Sequence, residues 1–229
     1  MRTHGVAALT VLALATAMMT GCTRVTRGLA VPADHDGPRP VTSVMLPKLL
    51  LAAPTISDIL GSHGMSVEDS RSDLLDSDDQ FSDRGCMAAW MPVEKSVYAG
   101  TGWTTNLTQD LTDADAEHVV IQAVTIFATR DAAKRFFDAN ARDWMPCGER
   151  TFTTTTSTYR RTSWTFDAVS EADSTLWMGQ HQRDSLGWSC QRSLRVSNNV
   201  AIDVLACKHY ASDEAVTIVN GIDAQLPSV

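Results

Sequence analysis

Basic side chains are in short supply: 19 lysines and arginines stand against 27 aspartates and glutamates, a formal net charge of −8. A surface of that sign repels phosphate backbones, so nucleic acid is not an expected partner. No Cys-x-x-Cys occurs, which argues against zinc ribbons and thioredoxin-type exchange. His-Glu-x-x-His, Gly-x-Ser-x-Gly, Ser-x-x-Lys and Gly-x-x-x-x-Gly-Lys are missing too, and Gly100-x-Gly102 lacks a third glycine and reads as a turn. No catalytic residue, cofactor or metal site is therefore expected. After the N-terminal stretch, no apolar run is long enough to span a bilayer.

That N-terminal stretch has the layout of a secretory signal over residues 1–21, with Arg2 and His4 ahead of an uncharged run from Val6 to Met19. Met19-Thr20-Gly21-Cys22 then matches a lipobox, with Met19 where leucine is usual. The match predicts a diacylglyceryl group on the Cys22 sulfur, cleavage before it, and a chain held on the outer face of the cell membrane. Several acyl chains on one residue anchor stably, since each buried CH₂ contributes about 0.8 kcal/mol. An ordinary cleaved signal with a free Cys22 is the alternative.

Residues 22–47 carry Pro32, Pro38, Pro40 and Pro47 and little apolar periodicity, the composition of a flexible tether reaching roughly 25 to 30 Å. Residues 48–229 remain for one domain. A helix is expected from about Thr55, capped by Thr55 and Asp58 and ended by Gly61. Acids and serines from Glu68 to Asp83 read as a solvated loop; Asp76, Asp78 and Asp79 lack the glycine and glutamate that an EF-hand needs. Glu117 to Phe127 is apolar on both alternations, as in a strand covered on both faces. Thr129 to Trp144 reads as a helix stopped by Pro146. Thr151 to Cys207 alternates in short β-rich runs that suggest an antiparallel meander, and a last helix starts at Ser212.

With Cys22 assigned to lipid, Cys86, Cys147, Cys190 and Cys207 form an even set in an oxidising compartment. Asn198-Asn199 suits a two-residue hairpin turn, and that register sets Cys190 opposite Cys207 at a site where side chains approach closely. The same register puts Leu194 and Val196 on one face and Val200, Ile202 and Val204 on the other, which calls for a bulge or a two-sided sheet. Cys86 and Cys147 are the remaining pair.

Other features read as structural. His63, His118, His181 and His209 are scattered; Asp34-His35-Asp36 lies in the tether; Asn106-Leu107-Thr108 is a glycosylation sequon without a bacterial consequence. Trp90, Trp103, Trp144, Trp164, Trp177 and Trp188 read mainly as core, although some could line a groove for an apolar or sugar ligand.

The opening through Leu60-Gly61, Cys86, Tyr98-x-Gly100-x-Gly102-Trp103, Trp144-x-x-Cys147, Cys190, Asn198-Asn199-Val200, Cys207 and the end at Pro227 together resemble the PknH-like extracellular domain family. That family comprises the outer sensor domain of a mycobacterial serine/threonine kinase and related lipoproteins. The resemblance, from Pro47 onward, implies a single α+β domain: a twisted antiparallel sheet packed by helices, two disulfides paired as above, and a ligand-binding cleft. This chain departs from the kinase in carrying a lipobox and no kinase domain, so inward signalling is not expected of it alone. The expected function is a non-enzymatic, lipid-anchored sensor-type domain binding a small molecule or envelope component, its cleft residues unassigned. A module that docks an envelope protein is the alternative, and a hydrolase with an unrecognised site the third.

Overall fold

The computed structural model describes residues 39–155 and 160–227; the secretory signal, Cys22 and most of the tether lie outside the described residues. Nine antiparallel strands form one sheet: β1 (Ser66–Arg71), β2 (Trp103–Thr112), β3 (His118–Phe127), β4 (Thr151–Thr155), β5 (Arg161–Phe166), β6 (Ser170–Ala172), β7 (Thr175–Gln182), β8 (Trp188–Ser197) and β9 (Val200–His209). They are ordered β1-β2-β3-β9-β8-β7-β5-β4, with β6 paired to β7. The helices are α1 (Leu46–Leu49), α2 (Ala53–Leu60), α3 (Met87–Trp90), α4 (Lys95–Tyr98), α5 (Arg130–Trp144) and α6 (Glu214–Asp223).

At its centre the sheet is covered on both faces. Val120, Val124, Val200, Ile202 and Val204 pack against Ile56 and Leu60 of α2 and Ile218, Val219 and Ile222 of α6. On the opposite face Ala123, Phe127, Leu176, Leu194 and Ala201 meet Ala133, Phe136, Phe137 and Trp144 of α5. Two helical layers explain why the β8–β9 hairpin is apolar on both alternations: the sheet is two-sided, and no bulge interrupts the pairing from Trp188↔His209 to Ser197↔Val200. Each large aliphatic side chain buried this way contributes about 1.5–3 kcal/mol. Thr129 caps α5 by accepting the Ala132 N–H, and Gly61 ends α2 in the left-handed conformation at φ 70°.

Cys190 lies opposite Cys207 in the hairpin and is bonded to it, with Cα atoms 3.9 Å apart. Cys86 and Cys147 form the second disulfide, tying the turn before α3 to the end of α5 across a separation of 61 residues.

Several local expectations are corrected. Helix α2 starts at Ala53 with Pro54 in its first turn, where a missing N–H does no harm, and the Thr55–Asp58 box does not form. Helix α6 starts at Glu214, whose carboxylate accepts the Ser212 N–H, so Ser212 is bonded to the helix without being its cap. The start of the acidic stretch, Glu68 to Arg71, belongs to strand β1, paired to β2 through a register shift between Val67 and Asp69. Folded structure also begins before Pro47. Val41 is 2% exposed, its N–H donates to Asn199 Oδ1 at 2.8 Å, and Asn199 Nδ2 donates to the carbonyls of Val41 and Phe127. The domain therefore takes in residues that composition assigned to the tether, with Pro47 opening α1.

Candidate functional site

Across the face that α5 covers, three polar side chains of the sheet hold one short segment, Ala88 to Val93. Gln180 Nε2 donates to the carbonyls of Ala89 and Trp90, both at 2.9 Å, and Arg192 Nη2 reaches those of Ala88 and Met91 at 3.5 and 3.4 Å. These are the orphan carbonyls at the C-terminus of α3, where a cation is also favoured by the helix dipole. Asp203 completes the clamp, accepting the Val93 N–H and the Tyr98 hydroxyl, each at 2.9 Å, and pairing with Arg192. Both charged side chains are 2% exposed, and the Arg192 guanidinium lies over the Trp144 ring at 5.0 Å. Burial, and then the neighbouring Asp203 carboxylate, hold the Tyr98 hydroxyl well above its ordinary range, which keeps it a donor.

The clamp holds a strained turn. Val93 is fully buried with φ 49°, a conformation that a β-branched residue adopts only when its surroundings enforce it. The turn sets Trp90 between Phe81 and Phe166, stacked at 5.3 and 6.2 Å, and edge-on to Trp164 at 5.1 Å. Trp90 and Met91 in turn pack on Ile121, Leu205 and the Cys190–Cys207 disulfide.

Beside this cluster, at the ends of the strands, lies an open groove of about 580 Å³. Trp164, Gln182, Trp188 and His209 reach it from β5, β7, β8 and β9, with Ala116, Glu117 and Asp184 from adjoining turns; Thr154, Arg160, Thr162 and Ser185 complete the lining. A hollow of about 570 Å³ beside α5 is similar in size, but its lining is mostly small residues such as Gly100, Gly102, Ala128 and Ala132. The groove combines aromatic rings, amides, hydroxyls and charges, the mixture by which a site orients a ligand, and it is larger than the hollow of about 340 Å³ around Gln80, Phe81 and Arg161 that shares that mixture.

The residues singled out by sequence fall in different places. Trp144 and Trp164 are buried, and Trp164 and Trp188 line the groove. His118 pairs with Asp113 at 2.5 Å and His181 with Asp167 at 2.9 Å, whereas His209, read as structural, lies in the groove. Burial pushes the Asp113 carboxyl up, but hydrogen bonds from the His118 side chain and backbone outweigh it, leaving the group below its usual value. Asn106 of the sequon is 2% exposed and bonded to Thr108 and Thr125. Asp78 accepts the Ser96 hydroxyl and Asp76 faces Lys95; among the described residues no three metal-binding side chains come together. No helix among them is long and apolar enough to cross a membrane.

Glu94, next to the strained turn, accepts the Ser77 N–H through Oε2, while Oε1 is buried without a partner. Burial raises the Glu94 carboxyl above its ordinary value. The folded chain thus takes up this proton more readily than the unfolded one, and stability declines as pH rises through the folded-state value. Glu94→Gln is expected to raise stability at pH ~7 by about 1 kcal/mol and to match the parent near pH ~4, where both forms are neutral. Thermal melts of the two proteins across that range check it; a constant difference would remove titration as the cause.

A nine-stranded antiparallel sheet sandwiched between helices and fastened by two disulfides is the frame of a known class of outer domain. Residues 41–224 match the PknH-like extracellular domain, and the chain belongs to that family. It is 34% identical over 188 residues to the serine/threonine-protein kinase PknH of Mycobacterium bovis and equally to that of Mycobacterium tuberculosis. The alignments cover 80% of this chain but only 31% and 30% of those kinases, so it spans about a third of the curated relatives' length. The crystal structure of the extracellular domain of PknH from Mycobacterium tuberculosis superposes with a TM-score of 0.78 at 31% identity, covering 82% of this chain and 98% of that one.

Proposed function

We propose that this chain is a non-enzymatic, sensor-type receptor domain on the outer side of the cell membrane, held there by lipid on Cys22, and that its groove takes a small molecule or envelope component. The groove carries the reading: aromatic, amide and charged side chains from separate strands converge on one open volume, built against a rigidly clamped turn. The hydroxyls of its lining are engaged elsewhere, Ser185 donating to the carbonyls of Gln182 and Trp188 and Thr154 paired with Thr162, which favours binding over turnover. The lipobox and the outer-domain family support the location.

Saturable binding is the consequence to test. A library of small polar fragments and envelope extracts, screened by thermal shift and by ligand-observed NMR, is expected to give hits that perturb Trp164 and Trp188. A library without a single groove-directed hit would count against the reading. For the anchor, Cys22→Ser is expected to move the protein from the membrane fraction to the soluble fraction; unchanged membrane retention would exclude acylation at Cys22 as the anchor.

A further inference from the structure

The aromatic lining of the groove continues beyond it. Trp188 meets His209 edge-on at 5.6 Å, and the ring of His209 lies 6.4 Å from that of Tyr210. Tyr210 is 77% exposed, and Leu186, in the turn between β7 and β8, is 90% exposed. Three rings therefore succeed one another from the groove to the surface, turned by 78° and 50° from each to the next.

The backbone presenting them is strained at several points. Ala116, Asp184, Leu186 and Tyr210 all adopt left-handed conformations, with φ of 54°, 56°, 55° and 58°. Each costs energy for a residue with a side chain, and such strain collects at binding sites. Gly187, at φ 98°, lets the turn lie against the Tyr210 ring: a Cβ there would come within 2.5 Å of it. The rim is thus fixed in shape by its own turns.

We propose that the groove and its ring-lined rim bind a linear oligosaccharide; this rests on the reading of the groove as the ligand site. The lining chemistry selects among ligand classes. A purely apolar chain would strip water from Gln182, Glu117 and Asp184 without replacing their hydrogen bonds. A phosphorylated ligand would meet two carboxylates, Glu117 and Asp184, against the single guanidinium of Arg160. A sugar satisfies both requirements, setting its C–H face on the flat rings and giving its hydroxyls to the amide, carboxylates and guanidinium around them. The succession of rings further favours a chain of sugars over a single one, because the exposed Tyr210 ring offers a contact beyond the groove that one sugar seated at Trp188 does not reach.

The domain from Arg39 onward contains the packed cores and both disulfides, and the homologous domain was crystallised as a separate piece, so this domain can be tested alone. It would be titrated with cello-, chito-, manno- and malto-oligosaccharides, as disaccharides and as hexasaccharides, followed by tryptophan fluorescence and amide shift mapping. At least one hexasaccharide is expected to saturate the domain, shift Trp188 and His209, and bind about tenfold more tightly than its disaccharide. Trp188→Ala should weaken both about tenfold or more, whereas Tyr210→Ala should abolish only the length advantage. Unchanged melting temperatures would show that both variants fold. If no oligosaccharide binds while fragments still occupy the groove, the carbohydrate assignment is overturned and the ligand site stands; if neither binds, both fall.

Discussion

Replacing Asp203 with alanine is expected to destabilise the domain by about 3–5 kcal/mol, the usual cost of leaving one member of a buried ion pair alone. Three interactions fail together: Arg192 keeps its charge without a counter-ion, the Tyr98 hydroxyl loses its acceptor, and the strained Val93 N–H is released. Asp203→Asn, which retains an acceptor for Val93, should lose less. Pairing Asp203→Leu with Arg192→Met should cost less than the sum of the single changes, by about 2 kcal/mol, since the double variant buries no unpaired charge. Urea denaturation of the four proteins measures the cycle. Strict additivity would mean that the ion pair does not couple and that the clamp works through its neutral hydrogen bonds alone.

Loss of the Cys86–Cys147 bridge should be nearly as severe. The Cys86→Ala/Cys147→Ala variant frees a loop whose ends are 61 residues apart, for which chain entropy gives about 4 kcal/mol. Removing Cys190–Cys207, separated by 17 residues, should cost about 3 kcal/mol. The local consequences differ as well. Cys86 immediately precedes α3, so breaking its bridge loosens the segment that carries Trp90, whereas Cys190 and Cys207 stay held by the strand ladder on either side. Guanidinium midpoints compare the two variants, and a larger loss from the hairpin bridge would contradict the ranking.

Much of the frame was legible because several local signals agreed. The Asn198-Asn199 turn fixed one register, and that register aligned Cys190 with Cys207. Strand β3 announced burial on both faces through its unbroken apolar run, and α5 carried its cap in Thr129. Strands β1 and β2 escaped notice for a physical reason. SVEDSR forms an edge strand, almost wholly exposed, and WTTNLTQDLT sets only Leu107 and Leu111 in the core on one face while burying Asn106 and Thr108, which bond one another beside Thr125, on the other.

The clamp was hidden for a related reason. Arg192 and Asp203 read as surface charges in isolation; only with the hairpin register known do they fall diagonally across from one another on the face that α5 covers. The groove was less legible still. Glu117, Trp164, Trp188 and His209 belong to four separate stretches of chain, and only the completed sheet order brings their ends together.

The same sheet order gives the domain a direction. The first described residues are fastened at the β8–β9 turn, where Asn198 and Asn199 bond to Arg39 and Val41, while Trp188 and His209 stand at the far end of that hairpin. A strand of 10 residues separates the two ends, about 30 Å at 3.3 Å per residue. The central hairpin is thus the long axis on which the domain separates two jobs: one end fastens the beginning of the described chain, and the other carries the aromatic groove, so a pull on the first end is carried along paired strands before it reaches the second.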